Sequence, residues 1–304
     1  MIRKVAFVVI SACLFVSCIS RKPELYTGMT QEQLPLPLGN KIDSPSFTGD
    51  AFIKPMITAD TVLHFPQTNH LTFAPSAHSG WHRHGGMIVL VTGGEGLYQE
   101  EGKTAQILRQ GDVLQIPAGV RHWHGASKDS WFSQIVIYDS SWQSVSTANY
   151  GDNTVSDIYY NELDADEYAH SLGTNSSMFA VSDSMLTFPT FSGTFRAADL
   201  LDGDNVAGVP AIHYVVFEPG VINAWHAHPD GQLIIATEGI GYHQIEGQDV
   251  EVLHPGDVAI CPPGVRHWHG ATPNSRFAHL AANSSPDVEW FTMLSKEEYD
   301  SLTK

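Results

Sequence analysis

The sequence predicts an all-β protein built from two copies of one unit, each copy a sandwich or a barrel. Three observations carry this: an internal repeat, short apolar runs punctuated by Gly and Pro, and histidines paired two residues apart in each copy.

The repeat runs through most of the chain. Phe73-Ala74-Pro75 is answered by Phe217-Glu218-Pro219, and Trp81-His82-Arg83-His84 by Trp225-His226-Ala227-His228. Gly111-Asp112-Val113 returns as Gly256-Asp257-Val258, and residues 119–126 return letter for letter as 264–271. The offset is 144 up to the paired histidines and 145 after them, so the first copy lacks one residue between His84 and Met87. Residues 88–91 and 233–236 read as strand cores, each followed by a Gly-rich turn at Gly93-Gly94 or at Gly239 and Gly241. A short helix is expected to close each unit. Asp164 with Glu167, and Ser295 with Glu298, have the spacing of an N-cap and its third helical residue.

The ends and the composition bound the setting. Arg3 and Lys4 precede an apolar stretch over residues 5–16, broken only by Ser11 and too short to span a bilayer, which takes roughly 17–25 residues. Residues 1–17 therefore read as a secretory signal. Leu14-Phe15-Val16-Ser17-Cys18 follows in the order of a lipoprotein cleavage site, with Cys18 as the lipidated residue and an ordinary secreted protein as the alternative. The expected location is the cell envelope of a bacterium, with lipid as the only membrane contact. Loss of residues 1–17 leaves 14 basic against 33 acidic residues, a formal charge of −19. Such a surface repels nucleic acid and anionic membrane. With Cys13 lost and Cys18 acylated, Cys261 stands alone in an apolar run and reads as a buried strand residue without a disulfide. Residues 18–45, interrupted by Pro23, Pro35 and Pro37, read as a tether.

The histidines carry the chemistry. Alternate strand residues share a face, so His226 and His228 point one way while Trp225 and Ala227 point the other. The same holds for His267 and His269 around Trp268, and for His82, His84, His122 and His124 in the first copy. Two such pairs aimed into one barrel gather up to four imidazoles, for which a metal ion is the ready compensation. Half-exposed histidines on a barrel rim are the bland alternative.

Residues 219–271 resemble the two signature motifs of the cupin superfamily. These are a Gly-rich stretch with H-x-H and a Glu or Gln on the next strand, then G-D-x-x-x-x-P-x-G-x-x-H. More closely, residues 224–232 with 267–271 resemble small single-cupin proteins that include manganese-dependent hydroxynitrile lyases. The resemblance implies two tandem cupin barrels of the double-stranded β-helix or jelly-roll type, over residues 46–172 and 187–304 with a linker at 173–186. The two barrels are expected to pack on each other, and further oligomerisation stays open. Carried over by position, it makes His226, His228, Gln232 and His267 ligands of a second-barrel metal and leaves His269 as a base. In the first barrel His82, His84 and His122 match ligands and His124 the base, but Met87 stands where Gln232 stands in the other copy. Manganese is the expected ion of the C-terminal site, with iron, zinc or nickel as alternatives. The implied chemistry is Lewis-acid assisted proton removal from a small hydroxy or carbonyl compound. An iron-dependent dioxygenase and a non-catalytic sugar- or acid-binding protein of the cell envelope are the other classes.

Overall fold

The computed structural model describes residues 28–58, 60–139, 177–283, 285 and 287–302. Cys18 and the signal-like segment lie outside these residues, as does the helix expected around Asp164 and Glu167.

Each copy forms a curled pair of antiparallel sheets. In the second, one sheet runs in the order Phe195–Leu201, Ala211–Phe217, Phe277–Asn283, Gln232–Gly239 and Val258–Cys261. The other runs Glu251–Leu253, Gly241–Ile245, His267–Ala271, His226–Ala227 and Glu289–Trp290. The first copy has the same plan, but His78–Ser79 and then Phe47–Thr48 lie beside its strand His122–Ala126, Asn40–Lys41 adds an edge, and the two sheets are joined. Its strand Met87–Glu100 passes unbroken through both halves and joins them into one ten-stranded sheet, whereas the second copy is interrupted at Ile240. The single α-helix among the described residues, Lys296–Ser301, opens on the expected capping box between Ser295 and Glu298.

Residue alternation explains why the strand cores are apolar without interruption. Met87, Val89 and Val91 face the interior of the first barrel with Phe73, Phe132 and Val136. Ile88 and Leu90, between them, join Ile135 and Ile137 against Leu233, Ile235, Tyr214 and Leu280 of the second barrel. Strands buried on both faces lose the polar alternation of a half-exposed sheet. The barrels therefore pack back to back through a shared core. Burying one exposed Ile or Leu contributes about 1.5–3 kcal/mol, so this seam stabilises the pair by roughly 10 kcal/mol or more.

Two segments assigned to connections are partly ordered. Leu36 joins the shared core and Asn40–Lys41 pairs with Ala51–Ile57, both inside the region read as tether. Met178 and Phe179, read as linker, are buried in the same core.

The loops that carry the histidines are held across the seam. A Cβ added at Gly86 would sit 2.0 Å from the carbonyl oxygen of Val206, and one at Gly231 would sit 2.5 Å from Leu63 Cδ2. Gly86 and Gly231 are repeat equivalents, so each barrel presses a loop on the other. Both loops are organised by one side chain. Asp60 accepts from the backbone N–H of Val62, Leu63 and Phe65, and Asn205 from those of Ala207 and Val209.

Candidate metal centres

The repeated run His-Trp-His-Gly-Ala forms the strands His122–Ala126 and His267–Ala271. Its histidines turn inward. Its tryptophans lie on the other face, where Trp123 and Trp268 donate through Nε1 to Gln99 and Gln244 at 2.9 and 2.8 Å.

In the first barrel, one ring nitrogen from each of His82, His84 and His122 lies within 4.8 Å of the others. The backbone sets their tautomers. Nδ1 of His82 donates to Gly80 O at 2.8 Å, that of His84 to Gly85 O at 2.6 Å, and that of His122 to Val120 O at 2.9 Å. Each ring then presents the lone pair of Nε2, the form a metal ligand takes. His124 stacks 6.0 Å from His122, and its Nδ1 accepts from Gln134 Nε2 at 2.9 Å.

In the second barrel, nitrogens of His226, His267 and His269 lie within 4.8 Å of one another. His226 donates through Nδ1 to Ala224 O at 2.9 Å, and Nδ1 of His267 lies 3.3 Å from Val265 O. The His228 ring lies 5.1 Å from His226 and 5.7 Å from His267, and neither of its buried nitrogens has a hydrogen-bond partner. Gln232 Oε1 lies 2.9 Å from His267 Nε2. With its proton on Nε2 the His267 ring donates to the Gln232 oxygen, and with its proton on Nδ1, towards Val265 O, the two present lone pairs to a shared cation. His269 is held differently. Asn223 takes the backbone N–H of His269 on Oδ1 and directs Nδ2 to His269 Nε2 at 3.0 Å, which puts the His269 proton on Nδ1.

Burial keeps these rings neutral. Desolvation lowers the pKa of His82 and His228 to about 4, of His226 and His279 to about 3 and of His267 to about 2, with His124 and His269 well below the usual value. Neutral imidazole is the metal-binding form.

Several residues of the site carry no repeated signature. His279 is fully buried, stacks on Phe277 and meets the edge of His269 at 4.8 Å; its repeat equivalent is Gln134. Trp290 covers His226 at 4.9 Å. His213, on the inward face of its strand, donates through Nδ1 to Asp199 at 2.7 Å. Lone letters on distant strands gave no spacing to read. Aligning the copies shows Asn223 against Ser79 and His279 against Gln134, which is the signal that was present.

Two histidine clusters on inward strands of a double-sheeted barrel define the cupin architecture. The cupin-domain family matches twice, over residues 69–138 and 213–280, and the chain belongs to the cupin family as a two-barrel member. Over 112 residues it is 44% identical to the (R)-mandelonitrile lyase of Granulicella tundricola, covering 36% of this chain and 85% of that one. It is 29% identical over 107 residues to a germin-like protein of Arabidopsis thaliana, covering 33% of this chain and 48% of that one. A variant of the oxalate decarboxylase of Bacillus subtilis, an enzyme with Mn(II) centres, matches 86% of this chain and 84% of its own. There the TM-score is 0.54 at 13% identity, a likeness of fold.

Proposed function

We propose that the chain is a metal-dependent enzyme whose second barrel breaks or rearranges a small hydroxy or carbonyl compound, in the manner of a hydroxynitrile lyase. The residues fit a divalent ion, with His226, His228, Gln232 and His267 as ligands. The observation that carries the reading is the gathering of these buried groups, with Gln232 Oε1 2.9 Å from His267 Nε2 and neither His228 nitrogen holding a hydrogen-bond partner. Manganese bound there supplies a +2 charge that three imidazoles and an amide leave uncompensated, which acidifies a nearby hydroxyl.

The chain's own groups do the rest. Asn223 orients His269 by donating to its basic nitrogen, Nε2, and a substrate hydroxyl that displaces this hydrogen bond passes its proton to that nitrogen. For a cyanohydrin, the C–CN bond then breaks, its electron pair leaves with cyanide, and the alkoxide carbon becomes a carbonyl. Phe217, 5.7 Å from the His269 ring, supplies an apolar wall that excludes water. The 44% identity with a mandelonitrile lyase supports this choice of reaction class.

The test is benzaldehyde release from mandelonitrile by manganese-loaded full chain. His269→Ala is expected to keep its metal and lose on the order of 10²- to 10⁴-fold in turnover, as when a general base is removed. Release unchanged in that variant would remove His269 from the chemistry. We also propose envelope attachment through acylated Cys18. Cys18→Ala should release the protein or leave it uncut, and unchanged fractionation would end that reading.

A further inference from the structure

The two barrels differ at a strand position equivalent in the repeat and close in sequence to their histidine clusters. Met87 and Gln232 each begin the equivalent strand and face the equivalent residue, Ile116 in one barrel and Cys261 in the other. In the second barrel the Gln232 amide reaches His267 Nε2. In the first, His122 is the equivalent ring, fully buried, and its Nε2 has no hydrogen-bond partner. Met87 is itself 1% exposed and packs in the inward cluster with Tyr98, whose ring lies 5.6 Å from His122. A thioether thus stands at the repeat position of a hard oxygen, in the barrel that holds three prepared imidazoles.

The surroundings differ in the same direction. Where the second barrel has Cys261 and His243, the first has Ile116 and Tyr98. Gln134, an amide this barrel does carry inward, donates through Nε2 to His124 and stands at the repeat position of His279, not of Gln232. Thioether and imidazole together select copper, whereas amide oxygen and imidazole suit manganese or ferrous iron. We propose that the first barrel is a copper site, held by His82, His84 and His122 with the Met87 thioether, so that one chain carries a soft and a hard metal centre. This goes beyond the lyase reading and does not depend on it.

The test is anaerobic cuprous titration of metal-stripped full chain against a chromogenic chelator, with manganese binding followed by electron paramagnetic resonance. One cuprous ion per chain should be lost in His82→Ala and kept in His226→Ala. Copper held by cysteine thiols survives His82→Ala and is separated by that variant. Met87→Gln should weaken the His82-dependent copper by on the order of 10-fold or more while leaving manganese binding at the second barrel unchanged. Equal cuprous affinity in Met87→Gln and parent overturns the proposal, as does a copper class lost in His226→Ala and kept in His82→Ala. Should Met87→Gln fail to fold, Gln232→Met decides: an added cuprous equivalent supports the proposal and none overturns it. A parent that shows this copper pattern and binds no manganese supports this inference while defeating the earlier reading, so the two fail separately.

Discussion

Cys261 Sγ lies 3.4 Å from Nε2 of His243, inside the second barrel. The same ring donates through Nδ1 to Glu251 at 3.0 Å, so its Nε2 is the acceptor and the thiol is the donor. Despite this partner, burial pushes the Cys261 thiol well above the ordinary range, with the Glu251 carboxylate adding to the effect. The thiolate is the reactive form.

Cys261 should therefore resist iodoacetamide at pH 8 in the folded protein and react fully once the chain is unfolded. Peptide mass spectrometry reads this directly. Rapid labelling of the native protein at that residue would show that the interior opens to reagents of that size.

The ligand assignment at the second barrel separates His228 and His267 from His269. His267→Ala and His228→Ala should each lower metal content at that site, while His269→Ala should not. Elemental analysis of the three variants after identical loading decides it. Metal loss in His269→Ala with retention in His228→Ala would favour the set His226, His267 and His269, which the geometry also brings within 4.8 Å.

Metal-free protein should be acid-sensitive well above the carboxylate range. His82 and His228 titrate near 4 and His226 near 3 when folded, against about 6.5 for a free imidazole. Below pH 6.5 the unfolded chain binds more protons than the folded one, so stability falls as pH drops from about 6.5 towards 4. Above 6.5 these groups contribute no slope. Melting temperature of the stripped protein should be flat from pH 7 to 8 and clearly lower at pH 5. A flat curve across the whole range would mean that the rings are solvated.

Gly86→Ala should cost about 1–3 kcal/mol, the usual range for overpacking, because its Cβ falls 2.0 Å from Val206 O. The effect should appear in urea unfolding of the whole chain. Gly102→Ala, where a Cβ meets nothing within 4 Å, controls for general substitution at a glycine. Its own backbone has φ 78°, so a small loss from strain is expected there.

Much of the fold and of the site is legible in the sequence. Strand alternation put His226 and His228 on one face, and the repeat placed Met87 against Gln232, because both depend only on short spacings. Family resemblance added the barrel topology. The packed seam was harder to read: Ile88 and Leu90 look like any strand core until the partner sheet is present. Asn223, His279 and Trp290 reach the site from strands far apart in the chain, where a single residue leaves no periodic trace. The ordering of Leu36 and Phe179 escaped for the same reason, since isolated apolar residues in polar, Pro-containing or linker-like sequence signal nothing locally.

The reciprocal seating of Gly86 on Val206 and of Gly231 beside Leu63 has the form of an isologous contact, in which the same two patches meet twice. In a dimer of identical subunits, any change at such a contact or at the site behind it is made twice. Joined in one polypeptide, the halves keep the interface and escape that constraint. One half can exchange an amide for a thioether, or a tyrosine for a histidine, while the other half keeps its own set. Fusion thus turns a symmetric pair of sites into two that can specialise separately.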